Sequence, residues 1–132
     1  MNARAERGRP GVLVVDDDRA VRDVLVRLLA AEGLWPLAAG GAAEAAELFR
    51  RHRGAVGLVL TDLRLRGPDG LQVLRALRGI DPGVRCCLVS GALAAGEEAA
   101  YLRLGFDAVL GKPFRLDDVA QVVRRLLATP DP

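Results

Sequence analysis

Five short apolar segments, each followed by a stretch with helical spacing, constrain the fold of this chain more than any other feature. The first, at 12–15 (VLVV), is an unbroken run rich in β-branched residues, which is typical of a strand buried on both faces. Four further strands are predicted at 34–39, 56–60, 86–89 and 108–110. Strands that alternate with helices predict a parallel sheet with helices on both faces, joined by right-handed crossovers.

The segments between the strands place apolar residues three and four positions apart, as amphipathic helices do. The expected buried stripe of the first helix consists of five residues: Val21, Val24, Leu25, Leu28 and Leu29. Gly33 is expected to end that helix, because glycine favours the position just beyond a helix C-terminus. Later helices are predicted at about 42–51, up to 79, up to 104 and around 119–127.

Pro36 decides the order of the strands. It lies inside the second predicted strand, and a proline, which lacks a backbone N–H, is tolerated at the edge of a sheet. The flavodoxin-like strand order has the second strand at an edge. The sequence therefore predicts an α/β fold, a flavodoxin-like (βα)5 doubly wound parallel sheet with strand order 2-1-3-4-5.

Length and composition favour a single domain. The 132 residues are 51% hydrophobic, which argues against disorder, and two cysteines do not make a disulfide scaffold. We expect a domain at 11–127 between a short basic tail, 1–10, and a short C-terminal tail, 128–132. The basic tail accounts for the whole net charge of +2. A nucleic-acid or membrane partner is therefore not expected. We expect a cytoplasmic location.

Polar residues follow four of the five predicted strands. They are Asp16, Asp17 and Asp18 after the first strand, Asp62 after the third, Ser90 after the fourth and Lys112, the single lysine of the chain, after the fifth. Ligands of open α/β sheets bind at the carboxyl ends of the strands. We therefore expect these residues to converge on one crevice.

The residue types in this set indicate phosphoryl chemistry. Neighbouring carboxylates repel one another and need a cation, and carboxylate oxygens suit Mg²⁺ or Mn²⁺ rather than zinc. A carboxylate that faces such an ion and a lysine can act as a nucleophile and form an aspartyl phosphate. Taken singly, Asp18 fits a helix N-cap, Ser90 a turn cap and Lys112 a surface ion pair. Their coincidence at four strand ends favours a functional site.

Four segments, VLVVDDDRAVRDVL, LVLTDLRLRGPDGLQVL, CLVSGA and GKPF, resemble those of response-regulator receiver domains of two-component signalling, of the chemotaxis (CheY-like) type. The resemblance spans residues 11–127. It implies that Asp62 is the phosphoacceptor and that Asp17 binds Mg²⁺ (or Mn²⁺) directly, with Asp16 binding it through water. It also implies that the backbone carbonyl of Arg64 is a metal ligand.

The same resemblance assigns roles to the residues after the fourth and fifth strands. Ser90 is expected to hydrogen-bond the phosphoryl group and Lys112 to pair with it, and the bond before Pro113 is expected to be cis. Val109 replaces the usual aromatic switch residue, which implies a less complete response to phosphorylation. Three further positions depart from the family pattern or lie where the family tunes phosphoryl lifetime: Arg64, Arg66 and Ala92.

The implied function is that of a signalling domain rather than an enzyme, one that catalyses its own phosphorylation and slow dephosphorylation. Its implied partners are a sensor histidine kinase or phosphotransfer protein and a downstream protein target, and its implied state is a monomer or a phosphorylation-linked dimer. One alternative is a receiver-fold docking module that works without phosphorylation. Another is a haloacid-dehalogenase-like phosphatase with Asp16-x-Asp18 as its nucleophile motif. The chain lacks room for the cap of that class.

Three other residue types could suggest function. Cys86 and Cys87 alternate across a buried strand, and adjacent cysteines rarely form a disulfide, so buried packing is expected rather than redox sensing. His52 lies between arginines at a predicted helix end, and a solvated position is expected. Trp35, on the edge strand, is expected to cover part of the core.

Overall fold

The computed structural model describes residues 9–65, 69–91 and 93–128, which form strands and helices in strict alternation. The strands are β1 (Gly11–Val15), β2 (Trp35–Ala39), β3 (Val56–Asp62), β4 (Arg85–Gly91) and β5 (Ala108–Lys112). The helices are α1 (Arg19–Ala31), α2 (Ala42–Arg51), α3 (Gly70–Ile80), α4 (Glu97–Leu104) and α5 (Leu116–Ala128). Arg66, Ala92 and most of the two predicted tails lie outside the described residues. Residue 128, which we assigned to the C-terminal tail, belongs to α5.

The five strands are parallel and lie in the order β2-β1-β3-β4-β5, which confirms the predicted fold class and places Pro36 on an edge strand. Three strands continue beyond their predicted ends, because the hydrogen-bonded ladder runs past the last apolar side chain. Accordingly β3 includes Asp62, β4 reaches Gly91 and β5 reaches Lys112. The polar residues of the predicted crevice are therefore held in part by the sheet itself.

Two hydrophobic layers cover the sheet. On one face, residues of α1 and α5 such as Leu25, Leu29 and Val123 pack against Val14 and Leu60 of the central strands. The opposite face is covered by a second set from α2, α3 and the central strands, which includes Ala45, Phe49, Leu74, Leu77, Leu13, Val59 and Leu88. The central strands are buried on both faces, as their unbroken apolar runs predict.

One apolar residue of α1 departs from the prediction. Val24 is 42% exposed, whereas Leu25 and Leu29 are buried. Successive residues of a helix are rotated by about 100°, so Val24 lies a quarter-turn away from the buried stripe. The helix ends before Gly33, whose positive φ of 80° and hydrogen bond to the carbonyl of Ala30 complete the expected turn.

His52 is half-buried, whereas a solvated position is predicted from the sequence. It caps the C-terminus of α2, and its ring packs edge-on against Trp35 with centroids 4.9 Å apart. The indole is buried more completely than predicted, with 2% of the residue exposed, and its Nε1 has no hydrogen-bond partner among the described residues. The chain reversal between α2 and β3 brings His52 over the start of β2, which sequence spacing does not reveal.

Across the described ranges, none of the helices combines the length and apolar character that crossing a bilayer requires.

The two cysteines are buried free thiols on opposite faces of β4, as predicted: Cys86 packs in one hydrophobic layer and Cys87 in the other. Burial raises the pKa of both thiols, that of Cys87 to about 12. Both are therefore held in the unreactive protonated form.

We expect both thiols to react with a soluble disulfide reagent at about pH 8 at least 100-fold more slowly than a free thiol, because reaction requires unfolding. Absorbance of the released chromophore measures the rate, with denatured protein as the control. Two rapidly labelled thiols in the native protein would contradict the burial.

Candidate functional site

Strand register brings the predicted residues to one edge of the sheet. Val15 of β1 lies opposite Thr61 of β3, so Asp16 and Asp62 follow side by side. Gly91 of β4 lies opposite Lys112 of β5. The carboxyl ends of β1, β3, β4 and β5 therefore supply the four parts of the site, and the central position of β3 places Asp62 among them.

Asp16, Asp17 and Asp62 form a cluster in which one carboxylate oxygen from each residue lies within 4.8 Å of the others. Asp16 is buried, with 2% of the residue exposed. The ammonium group of Lys112 lies 3.0 Å from Oδ2 of Asp16 and 3.4 Å from Oδ2 of Asp62. One ammonium thus contacts two of the three carboxylates, and the cluster keeps an excess of negative charge.

The pKa values of the central pair follow from this arrangement. Burial raises the pKa of Asp62, the charge of Asp16 raises it further, and Lys112 and a main-chain hydrogen bond from Arg64 offset part of the rise. Burial alone would lower the pKa of Lys112, but its hydrogen bond to Asp16 and the charges of both carboxylates outweigh it and raise the pKa. Lys112 is therefore an ammonium ion at neutral pH.

A cavity of about 260 Å³ opens beside Asp62 and is lined by Asp62, Arg64, Ser90, Gly91 and Lys112. The volume is several times that of one water molecule. Ser90 is buried to 99%, and its hydroxyl donates a hydrogen bond to the carbonyl of Gly91 at 3.2 Å. A carboxylate, a hydroxyl and an ammonium therefore face one small space.

Asp16 and Asp18 have different environments, although they lie two residues apart. The backbone N–H of Asp16 donates to the carbonyl of Ala39 at 3.1 Å, and its carboxylate accepts a hydrogen bond from the N–H of Asp18 at 2.9 Å. The carboxylate of Asp18 instead caps α1 by accepting from the N–H groups of Ala20 and Val21. The cap alternative is confirmed for Asp18, which does not join the carboxylate cluster.

The bond between Lys112 and Pro113 is cis, the state that the family resemblance implies. Val109 lies opposite Leu88 in the sheet and is partly buried against the hydrophobic layer to which α2 and α3 contribute. An aliphatic side chain therefore fills the position at which an aromatic ring was expected from the family pattern.

Gly70 is a residue of this region that the sequence interpretation missed. A Cβ at this position would collide with the backbone carbonyl of Asp62, and the N–H of Gly70 donates to the carbonyl of Leu63 at 2.8 Å. The start of α3 is marked in the sequence by Asp69 and Gln72, which form a reciprocal capping box. The capping-box residues locate the start of α3 in the sequence. The close approach of Gly70 to Asp62 is seen only in the structure.

The donor set fits a hard divalent cation. Ligands of Mg²⁺ at about 2.1 Å lie at most about 4.2 Å apart, and the three carboxylate oxygens lie within 4.8 Å of one another, close to what one ion requires. The cluster offers oxygen ligands without histidine or thiolate, which suits Mg²⁺ or Mn²⁺ and not zinc.

Comparison with known proteins assigns the chain to a family. The sequence model of the response regulator receiver domain matches residues 12–124. The chain therefore belongs to the response regulator receiver domain family.

Two curated relatives are similar over most of this chain. The response regulator MprA of Mycobacterium leprae (strain TN) is 36% identical over 121 residues, which cover 92% of this chain and 52% of that protein. The response regulator MprA of Mycobacterium sp. (strain KMS) is 35% identical, with the same coverage. The chain thus spans about half the length of these relatives.

Solved structures match along nearly their whole length. A response regulator receiver protein from Pseudomonas putida is 33% identical with a TM-score of 0.78, and the match covers 89% of this chain and 97% of that one. The receiver domain of NtrX from Brucella abortus is 30% identical with a TM-score of 0.82, and the match covers 90% and 99%.

The excess of negative charge leads to a prediction for stability in the absence of divalent cations. Because the folded-state pKa of Asp62 is raised, its ionised form destabilises the fold above that pKa, and this cost disappears below the unfolded-state value. We therefore expect Asp62→Asn to raise Tm at neutral pH in EDTA by about 4 °C, which corresponds to roughly 1 kcal/mol. The gain should vanish as the pH falls through the raised pKa of Asp62.

Calorimetry measures this effect, and Asp23→Asn, which removes an exposed carboxylate of α1, serves as the control with an unchanged Tm. A lower Tm for Asp62→Asn at neutral pH would show that Lys112 fully compensates Asp62, contrary to the expectation.

Proposed function

We propose that this chain is a phosphorylatable receiver of two-component signalling and that Asp62 is its phosphoacceptor. The observation that carries the proposal is the position of the Asp62 carboxylate, which lies 3.4 Å from the ammonium of Lys112 and borders the cavity that Ser90 also lines. Phosphoryl transfer requires mainly a positioned nucleophile and groups that neutralise charge. The contacts of Asp62 supply both.

The carboxylates of Asp16, Asp17 and Asp62, with the main-chain carbonyl of Arg64, are the groups proposed to hold Mg²⁺ or Mn²⁺. Asp17 and Asp62 are assigned as direct ligands, and Asp16 as a ligand through water. The bound ion supplies charge neutralisation for the phosphoryl group.

In the proposed reaction, a carboxylate oxygen of Asp62 attacks the phosphorus of a phosphohistidine in a sensor kinase or phosphotransfer protein. An O–P bond forms, the P–N bond breaks, and the electron pair returns to the imidazole of the donor. Lys112 pairs with a phosphoryl oxygen, and the hydroxyl of Ser90 turns from the carbonyl of Gly91 to donate to another. Slow attack of water on phosphorus returns Asp62 and inorganic phosphate.

The signal is proposed to leave through a protein partner. The phosphoryl group carries about 1.5 to 2 negative charges at neutral pH in place of the single charge of the Asp62 carboxylate, which draws Ser90 and Lys112 towards it. Val109 offers no ring that could move inward with Ser90. We therefore expect a smaller shift of the region around β5 than an aromatic residue would give.

The phosphatase alternative finds no support in the contacts of its motif. A nucleophile pair at Asp16-x-Asp18 requires both carboxylates to face one substrate, whereas Asp18 caps α1 and Asp16 faces Lys112. The docking-module alternative requires no phosphorylation of Asp62. A test of whether Asp62 becomes phosphorylated therefore distinguishes it from the proposal.

We expect acetyl phosphate to add one phosphoryl group per wild-type molecule in the presence of MgCl₂, and none in EDTA. Asp62→Asn should abolish the addition, because an amide cannot act as this nucleophile. Intact-mass spectrometry gives the stoichiometry.

Asp18→Asn is the matched control for that experiment. Asparagine retains the helix cap, so we expect labelling at the wild-type level. Labelling that persists in Asp62→Asn but disappears in Asp18→Asn would contradict the proposed acceptor. An unlabelled wild-type protein that still binds Mg²⁺ would favour the docking module.

A further inference from the structure

Arg22 connects helix α1 to the acidic cluster. Its Nη1 donates a hydrogen bond to the main-chain carbonyl of Asp16 at 3.0 Å. Side chains of a helix tilt towards its N-terminus, so Arg22 reaches back past the Asp18 cap to the end of β1. The carbonyl of Asp16 belongs to the peptide group that continues into Asp17, and the contact therefore orients the backbone between two proposed metal-site residues.

Arg22 lies four residues after the acidic N-cap Asp18, a spacing at which an acid followed by a base is favourable in a helix. The hydrogen bond of its guanidinium, however, goes to the carbonyl of Asp16 outside the helix, so the side chain serves the end of β1.

Gly40, at the end of β2, provides the space that Arg22 occupies. A Cβ added at Gly40 would lie 2.8 Å from Nη1 of Arg22, whereas one added at Gly41 would meet nothing within 4 Å. The guanidinium thus fills the volume left by an absent side chain. Because that guanidinium is the far end of a flexible side chain, Gly40→Ala would displace it with little disturbance of the backbone.

Asp16 is held at three further points: its N–H by the carbonyl of Ala39, and its carboxylate by the N–H of Asp18 and by Lys112. The contact with Arg22 is the one that acts on the peptide leading to Asp17. We propose that Arg22 is a positioning residue that holds the carboxylates of Asp16 and Asp17 in the arrangement that binds the divalent cation. The inference rests on the proposed function for the identity of the site.

The positive charge of Arg22 repels a divalent cation, so its effect on cation affinity is opposite to that of its hydrogen bond to Asp16. If charge repulsion dominated, removing the guanidinium would tighten cation binding; if positioning dominates, removal weakens it. Gly40→Ala separates the two effects, because it moves the guanidinium off Asp16 and leaves its charge in the protein.

The test compares the wild-type protein with Arg22→Met, Gly40→Ala, the double variant and the control Gly41→Ala. Methionine keeps a long unbranched side chain and a good helix propensity. Isothermal titration with MgCl₂ should show about tenfold weaker binding in Arg22→Met, the size typical for groups that orient metal ligands. Gly40→Ala should weaken binding in the same direction, the double variant should be no weaker than Arg22→Met, and Gly41→Ala should match the wild type.

A second readout uses the metal-free protein. In EDTA, the amide proton of Asp18, which bonds to the carboxylate of Asp16, should exchange about tenfold faster in Arg22→Met and Gly40→Ala than in Gly41→Ala. In acetyl phosphate labelling, the Mg²⁺ concentration for half-maximal rate should rise, while the rate at saturating Mg²⁺ should stay at the wild-type value. A merely structural defect would instead lower the saturating rate and Tm.

Unchanged or tighter Mg²⁺ binding in Arg22→Met would overturn the inference, as would full additivity of Gly40→Ala with Arg22→Met. Failure of the proposed function has a different signature, because Asp62 would then remain unlabelled while the Mg²⁺ affinities and exchange rates still followed the predicted order.

Discussion

The ammonium group of Lys112 is the contact on which the site depends, because it joins two carboxylates that would otherwise repel each other. It lies 3.0 Å from Asp16 and 3.4 Å from Asp62, residues that follow β1 and end β3. The sheet brings these strand ends together, and Lys112, at the end of β5, supplies the opposite charge. The parallel register of the strands places Asp16 and Asp62 close enough to repel each other. The same register places the ammonium of Lys112 between them, which reduces that repulsion.

Lys112 neutralises only part of the negative charge of the carboxylate cluster, and the remaining charge is the basis of the proposed chemistry. Three carboxylates, two of them in contact with one ammonium, form an acidic cluster suited to a divalent cation, and the cavity beside Asp62 offers space for a phosphoryl group. A site with a fully balanced charge would be more stable without ligands, but it would offer less to a cation. The raised pKa of Asp62 reflects this tension, with burial and the charge of Asp16 on one side and Lys112 on the other.

Much of this arrangement follows from sequence because it depends on local patterns. Alternating apolar runs and helical spacing predict the doubly wound sheet, and Pro36 alone points to the correct edge strand. What sequence does not reveal depends on contacts between distant segments. The edge-on contact of His52 with Trp35 is one case, and the close approach of Gly70 to Asp62 is another. The contact of Arg22 with Asp16 has a sequence signal, a basic residue near a helix N-terminus, but its target is visible only in three dimensions.

The central claim, that Asp62 is the nucleophile of this site, is tested most directly by trapping the acyl phosphate. Borohydride reduces an aspartyl phosphate to homoserine, and sequencing of the resulting peptides by mass spectrometry locates the reduced residue. After treatment with acetyl phosphate and MgCl₂, we predict homoserine at position 62 and unmodified aspartate at positions 16, 17 and 18. Homoserine at position 16, or its absence from position 62 in protein that carries a phosphoryl group, would contradict the account.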